Sequence, residues 1–429
     1  MNTIAVREHA RLTVGPVANA GLDVASVPAS AFDWLCRESQ RHRAGGAPLV
    51  QLEDRRWLRL DNYVGVLETP CGTRIEILPK HVQGQADVAA ARKVLVTMLR
   101  TALDLPARES APTALQTFDA PVSEWIIRCF LQELNGLVRR GLRFDYRRVE
   151  EEVRFLRGRL RVAQQLRQPP TRRHLFQVEH QVFDPDRPEN RLIAKALAKV
   201  ATATRDTDNW RLARELEHQL AEVHPSQDVA GDFRRWSRDR LMQHYGPIRA
   251  WCELILGDLN PISTLGRWTG PSLLFPMEKV FERYVAVALR RAAPVGARIR
   301  TQASGQTLCR ENGRPMFQLR PDFIVEHAGS AWVVDAKWKL LDAADRQNGY
   351  GLRQADFYQM FAYGRRYLRG SGQLMLVYPA TDTFALPLGS FDFGDGQRLD
   401  AVPLDLESGR LHAGAWFGGD RATDIGACA

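Results

Sequence analysis

Two apolar periods organise the chain. Over residues 1–85 the hydrophobic positions come in short runs: Leu49-Val50-Gln51-Leu52, Trp57-Leu58-Arg59-Leu60, Tyr63-Val64-Gly65-Val66-Leu67 and Thr73-Arg74-Ile75-Glu76-Ile77-Leu78. Polar turns such as Asp54-Arg55 and Cys71-Gly72 separate them, so they read as short strands. A short helix is expected over Ala31–Gln40, with Gly45-Gly46-Ala47-Pro48 as a loop. From Asp87 the period lengthens to that of a helix, with Val88, Ala91, Val94, Leu95, Met98 and Leu99 on one stripe. Further helices are expected after Pro121, over Asn190–Ala203, over Trp210–Val223, and over Phe233–Leu256 with a break at Pro247. Arg157-Gly158-Arg159-Leu160 and Asp186-Arg187-Pro188-Glu189-Asn190-Arg191 read as turns at helix boundaries.

The Gly- and Pro-containing stretch Gly266–Pro276 reads as a linker between domains. Pro276 suits the first turn of a helix running to about Ala292, with Met277, Val280, Phe281, Tyr284, Ala288 and Leu289 facing inward. Gln318–Leu340 reads as two apolar strands joined by a turn at His327-Ala328-Gly329-Ser330. A helix over Tyr350–Tyr367 and a buried strand over Leu374–Pro379 follow, then short strands around Thr383–Leu386 and Leu411–Phe417. The implied fold class is α+β and multidomain. Residues 1–85 form a β-rich partner-binding domain, 86–265 a helical, Arg-rich middle region, and 266–429 an α/β core with a mixed sheet.

The hairpin carries the chemistry. Strand side chains alternate faces, so Asp335 and Lys337 point the same way, and hairpin pairing brings Asp322 alongside Asp335. Two carboxylates that close repel unless a cation sits between them. An all-oxygen pair suits Mg²⁺, for which Mn²⁺ can substitute. A lysine beside them can position water or stabilise charge developing on a phosphate. Glu278 and Glu282, one turn apart on the helix after Pro276, can each reach the same centre, and Glu282, beside Phe281, is the choice; Gln359 and Tyr363, one helical turn apart, can orient water or phosphate or pack at a helix–sheet junction. Metal-dependent phosphodiester hydrolysis fits this set, with Asp322, Asp335 and Glu282 as metal ligands. An ordinary ion-paired hairpin fits the same spacing. Both acids lie within apolar, β-branched runs, where an unpaired charge is costly, and this weighs toward function.

Composition narrows the setting. With 45% hydrophobic and 25% charged residues among 429, the chain reads as an ordinary soluble protein. No apolar run approaches membrane-spanning length and the N-terminus lacks a signal peptide's apolar core, so a cytoplasmic protein without membrane contact is expected. The six cysteines show no CxxC spacing, which argues against a zinc site or disulfides and for free buried thiols. Net charge is +9, and Arg139–Arg173 alone holds twelve arginines against Asp145, Glu150, Glu151 and Glu152, or +8. Arg139, Arg140, Arg157 and Arg159 are therefore candidate contacts to DNA or an acidic partner, a solvated helical face being the plainer reading. No Walker A sequence, dinucleotide loop or serine elbow occurs, so any nucleotide hydrolysis belongs to another chain.

Helix glutamate, Pro-Asp, Asp-X-Lys and a Gln-bearing helix, in that order, resemble the PD-(D/E)XK nuclease superfamily. The wider chain resembles the McrC family, nuclease subunits of McrBC 5-methylcytosine-dependent restriction systems. The resemblance rests on Ile77-Leu78-Pro79-Lys80, Gly158-Arg159-Leu160, Asn190-Arg191-Leu192, Phe281-Glu282, Leu319-Arg320-Pro321-Asp322, Val334-Asp335-Ala336-Lys337 and Asp356–Tyr363, and covers roughly residues 50–380. It implies a PD-(D/E)XK nuclease core over 266–429, with Asp322 and Asp335 holding Mg²⁺, Lys337 positioning or activating water, and Glu282 and Gln359 in support. It also implies a partner, a hexameric AAA+ GTPase of the McrB kind, which the N-terminal portion engages and stimulates. DNA bearing modified cytosine is the implied substrate, recognised by the motor. A non-enzymatic DNA- or motor-binding adaptor and a stand-alone nuclease are the competing readings.

Overall fold

The computed structural model of the protein describes residues 3–18, 21–41, 49–80, 88–103, 121–237, 239–256, 273–370, 372–394 and 396–412. Its packing forms two units, residues 1–122 with 272–429, and residues 123–271.

The N-terminal segment builds two small sheets. Strands β1 (Thr3–Arg7), β6 (Tyr63–Glu68) and β7 (Arg74–Leu78) form one, with β1 parallel and β6 antiparallel to the central β7. Strands β2 (Arg11–Thr13), β3 (Val24–Ser26), β4 (Val50–Leu52) and β5 (Leu58–Leu60) form the other, in the order β3-β2-β5-β4. Helix α1 (Ala29–Arg41) follows β3, and α2 (Val88–Ala102) buries the expected stripe of Ala91, Val94, Leu95, Met98 and Leu99. Both β6 and β7 are buried along their whole length. A carboxylate inside such a strand needs partners, and Glu76 takes the Arg92 guanidinium at 2.7 Å and the Val122 backbone N–H at 3.1 Å.

In the second unit, helix α3 (Val122–Arg140), most of which lies in it, leads into strands β8 (Asp145–Val153) and β9 (Arg159–Leu160), helix α4 (Val162–Leu166) and strand β10 (Phe176–Asp184). The Arg-rich stretch is therefore a three-stranded sheet in the order β8-β10-β9, not the helical face or helix-boundary turns expected. Tyr146, Val149 and Val153 are aromatic or β-branched and suit a strand, and β10 supplies acids that match arginines of β8. Arg147 pairs with Asp184 at 3.1 Å, Arg148 with Glu179, and Arg157 with Glu151 within β8. The remaining helices are α5 (Pro188–Ala203), α6 (Thr207–Gln219), α7 (Val229–Arg235) and α8 (Gly246–Leu256). A 3₁₀ turn over Arg240–Tyr245 separates α7 from α8, so the expected Phe233–Leu256 helix is broken ahead of Pro247. Buried Asn190 fixes the start of α5, donating to Arg143 O and Pro185 O and accepting from the Tyr245 hydroxyl.

The chain then returns to the first unit. Leu273–Pro276, expected as the end of a linker, is strand β11 and completes the N-terminal sheet by pairing antiparallel with β6. Gly65 permits this approach: it sits at φ +123°, and a Cβ there would fall 2.0 Å from Leu273 O. The first and last expected domains thus share one unit, because the segment between them is hydrogen-bonded sheet rather than free linker. Pro276 caps helix α9 (Met277–Ala292), whose inward residues match the apolar stripe.

Strands β12 (Arg298–Thr301), β13 (Gln306–Glu311), β14 (Arg314–Leu319), β15 (Phe323–His327) and β16 (Ser330–Ala336) follow, then helix α10 (Gln354–Tyr367) and strands β17 (Gly372–Pro379), β18 (Phe391–Asp392) and β19 (Gln397–Leu404). The six-stranded sheet runs β12-β15-β16-β17-β19-β18 and is mixed, β16, β17 and β19 being parallel neighbours. β13 and β14 stand apart as a hairpin. The expected strand at Thr383–Leu386 is only an isolated bridge between Thr381 and Phe384. Backbone pairing goes instead to β19, which lies beside β17 over its full length. Of the expected Leu411–Phe417 strand, Leu411 bridges Leu404, and residues 413–417 lie outside the described residues.

Candidate active site

The β15–β16 hairpin turns on Ala328 and Gly329, both at positive φ (+48° and +79°), the two-residue geometry that matches strand twist. This turn sets the register. Phe323 lies opposite Val334, so the next pair outward is Asp322 and Asp335. Val333 joins the core under α10 with Met360 and Tyr363. Asp335 and Lys337 share that face, and Lys337 lies just past the strand end.

The site is held by a chain of hydrogen bonds. Lys337 Nζ lies 2.5 Å from Asp335 Oδ2 and donates to Gln359 Oε1 at 2.9 Å. Gln359 Nε2 donates to the Tyr363 hydroxyl at 2.8 Å, which donates to Arg320 O at 3.0 Å. The i, i+4 pair of α10 therefore grips the lysine at one end and the approach to Asp322 at the other. Asp322 Oδ2 accepts from the Ala336 N–H at 2.8 Å. On α9, Glu282 Oε1 accepts from Gln302 Nε2 at 2.5 Å, and the same amide lies 3.3 Å from Asp322 Oδ1.

Charge in this space is strained. Burial, then the neighbouring Asp335 carboxylate, pushes the Asp322 carboxyl up to about 8. Burial raises Asp335 as well, against the opposing pull of Lys337. Burial disfavours the Lys337 ammonium, but Asp335 more than offsets it and the group is held above its ordinary value. Lys337 is thus a permanent cation, suited to steering charge rather than accepting a proton. Glu282 is raised by burial first and by Asp335 among its neighbours, with Gln302 opposing.

Among the described residues no three His, Cys, Asp or Glu side chains close into a ready metal cage. The donor set nevertheless suits a hard cation. The Gln302 amide places its hydrogens between Glu282 and Asp322, where positive charge is called for, and buried Asp335 Oδ2 accepts no well-aligned hydrogen bond. Asp322, Asp335 and Glu282 are the residues that would hold Mg²⁺. Glu278, the other helix glutamate, is exposed and acts electrostatically on Glu8 and Lys80 instead.

Two features gave no signal in the sequence. Gln302 carries no periodic or motif cue; it follows β12 at φ +49° and is fixed by tertiary contact. Trp338, next to Lys337, is 3% exposed and lies against Phe281 of α9, ring centroids 5.2 Å apart. Its indole N–H donates at 2.7 Å to Glu8 Oε1, which also accepts from the Lys80 N–H at 3.0 Å. Lys80 Nζ donates to Trp338 O at 3.3 Å. The N-terminal sheet is thereby tied to the residue following the site lysine.

Burial lifts the Glu8 carboxyl from 4.5 to about 7. Its folded form holds a proton that the unfolded chain has released, so this contribution to stability is complete below pH 4.5 and lost as pH rises through 7. The loss is at most about 3 kcal/mol, from roughly 2.5 pH units at 1.36 kcal/mol each. Asp322 acts in the same direction. Denaturant melts between pH 5 and 8 are expected to show a shallower decline for Glu8→Gln than for wild type; parallel declines would mean Glu8 does not titrate in this window.

The four candidate arginines belong to the 123–271 unit. Arg139 and Arg159 are exposed, Arg140 sits 3.8 Å from Glu133, and Arg157 pairs with Glu151. The expected burial of the cysteines holds for Cys252 alone among the described ones: Cys71 and Cys309 are exposed, Cys36 and Cys129 half-buried, and Cys428 lies outside the described residues. No described helix is long and apolar enough to cross a membrane.

The family model described as McrBC 5-methylcytosine restriction system component matches residues 58–379. That span holds every residue of the carboxylate–lysine centre. Among solved structures, a chain of the refined half-complex from a tetradecameric assembly of Thermococcus gammatolerans McrB AAA+ hexamers with bound McrC is similar at TM-score 0.62 and 20% identity, covering 94% of this chain and 95% of that one. A chain of the cryo-EM structure of the Thermococcus gammatolerans McrBC complex matches at TM-score 0.50 and 21% identity, over 68% of this chain and 88% of that one. At such identities the likeness is one of fold. No curated protein matches the chain.

Proposed function

The chain belongs to the McrBC family of 5-methylcytosine restriction system components, and on that premise we propose that it is the family's McrC-type nuclease subunit, a Mg²⁺-dependent DNA endonuclease. The observation that carries this reading is the Lys337 ammonium held between Asp335 and Gln359, one register step from Asp322. A scaffold has no use for a buried carboxylate with a second carboxylate and a lysine half-buried beside it at a strand end, where their desolvation costs stability.

In this reading Asp322, Asp335 and Glu282 would hold Mg²⁺, with Mn²⁺ as a substitute, and a cation there would supply Lewis acidity for the phosphate and the attacking water. Hydrolysis forms one P–O bond from water and breaks one to the leaving sugar oxygen, which takes up a proton. The Lys337 ammonium stabilises the negative charge that develops on the phosphate oxygens in the transition state, and Gln359 fixes its direction. Tyr363 ties that relay to the backbone at Arg320, keeping Asp322 in register.

The partner in this reading is an McrB-like AAA+ GTPase hexamer, whose GTP hydrolysis this chain stimulates, and the substrate is DNA with modified cytosine. Exposed Arg139 and Arg159 are available to either. Plasmid cleavage in Mg²⁺ tests it, with and without the cognate GTPase and GTP, on methylated and unmethylated DNA. Cutting that requires partner and GTP supports the restriction subunit. Cutting without them favours a stand-alone nuclease, and intact DNA alongside raised GTP turnover favours an adaptor.

A further inference from the structure

We propose that the β13–β14 hairpin is a duplex-DNA contact, with Phe317 as an apolar wedge pressed between base steps; this rests on the nuclease reading above. Both ends of the hairpin lie at the carboxylate centre. It leaves the sheet just after Gln302, which bonds Glu282 and Asp322, and returns through Arg320-Pro321 to Asp322. Helix α10, which carries Gln359, fastens it. Arg366 donates to Thr307 O at 2.8 Å and Leu308 O at 2.9 Å, and the single Tyr367 hydroxyl proton is shared between Ala303 O at 2.9 Å and Leu319 O at 2.8 Å. Whatever the hairpin grips is therefore held in a set position relative to Lys337.

Its surface has the chemistry of a DNA contact. From Gln306 to Arg320 the hairpin carries Arg310, Arg314 and Arg320 against Glu311, a net +2, while Arg298 and Arg300 stand on the adjoining β12, Arg300 paired with Glu326 at 2.7 Å. Arg310 and Arg314 flank the Asn312-Gly313 turn and are exposed. Between them and the centre, the ladder pairs Thr307 with Gln318 and Cys309 with Met316, but Phe317 is forced to φ +55°. A bulky aromatic at positive φ is strained, and here the strain holds the ring out of the hairpin's ladder. Phe317 is 67% exposed beside Leu308 at 48% and Met316 at 36%. Apolar wedges flanked by arginine are how proteins unstack and kink a duplex, the arginines tracking phosphate. A two-stranded ribbon also fits a DNA groove.

The test uses the full-length chain in EDTA, so that binding is read without cutting. A fluorescein-labelled duplex gives affinity by anisotropy over a salt series, and a 2-aminopurine duplex reports unstacking. Arg310→Ala with Arg314→Ala is expected to weaken binding about 10-fold and flatten the log–log salt slope by about 2. Phe317→Gly is expected to raise the melting temperature by relieving the backbone and yet to lose the 2-aminopurine signal, so a binding loss cannot be ascribed to misfolding. Unchanged affinity and slope in both variants, no duplex binding by the wild type, or variants that lose a protein partner while holding DNA would each overturn the proposal. If the wild type binds through the hairpin but does not cut with Mg²⁺ and partner, the hairpin stands and the nuclease reading falls.

Discussion

Asp322→Asn is expected to yield a protein that melts at a higher temperature than wild type without metal and cuts DNA about 10³-fold more slowly with it. Both effects follow from the same carboxyl. Burial and Asp335 push Asp322 to about 8, so at neutral pH the metal-free fold holds a proton there that the unfolded chain does not. That favourable share is complete below the ordinary carboxylate value of 3.8 and is lost as pH climbs toward 8. A neutral amide is free of this dependence, so the variant's advantage should widen from pH 4 to pH 8 and then level off. The Ala336 N–H keeps an acceptor in the amide oxygen, which limits the structural cost. Cleavage falls because an amide is a poorer ligand for a hard cation and carries no charge to hold it. A 10³-fold loss corresponds to about 4 kcal/mol at the transition state. Melts in EDTA and in Mg²⁺, beside plasmid nicking, check both halves. Mg²⁺ should stabilise the wild type and not the variant. A variant that melts lower in EDTA at pH 7 would refute the raised carboxyl, and one that cuts normally would remove Asp322 from the chemistry.

The elements that carry this argument were legible because local pattern and tertiary role agree in them. Ala328-Gly329 between two apolar runs announces a hairpin, and a hairpin's register follows from its turn, so Asp322 and Asp335 are paired by local rules alone. Helical spacing likewise puts Gln359 and Tyr363 on one face, and the structure finds them bonded at 2.8 Å. The Arg-rich stretch misled because charge carries no period. Only β10, more than twenty residues further on, supplies the acids that make Asp145–Val153 a strand. β11 hid in a Gly/Pro-containing segment because its partner β6 lies some two hundred residues earlier, and pairing across that distance leaves no local trace. Gln302 and Glu8 are of the same kind: each acts through long-range hydrogen bonds that no spacing rule encodes.

Trp338→Ala is expected to be the most damaging single change outside the carboxylates, costing about 3–5 kcal/mol of stability. Part of that is the cavity left against Phe281, where the indole is 3% exposed. The rest is what the indole does for Glu8. Removing the Nε1–H donor leaves Glu8 Oε1 with the Lys80 N–H alone, in a site whose Oε2 already has no hydrogen-bond partner. An acceptor deprived of its partner in such surroundings costs about 1–3 kcal/mol. Trp338→Phe separates the two terms, since it keeps much of the ring's packing and loses only the donor. A double-mutant cycle with Glu8→Gln then isolates the bond, with a coupling of about 1 kcal/mol or more expected for groups in direct contact. Because Trp338 adjoins Lys337, the variants that retain their fold should also lose cleavage beyond their loss of stability, as the ammonium drifts from Gln359. If Trp338→Phe unfolds like wild type and cuts like it, the link from the N-terminal sheet to the lysine is packing alone. If stability is kept and cleavage still falls, Glu8 and Trp338 position Lys337 for the reaction, and any partner that shifts the N-terminal sheet has a direct route to the site.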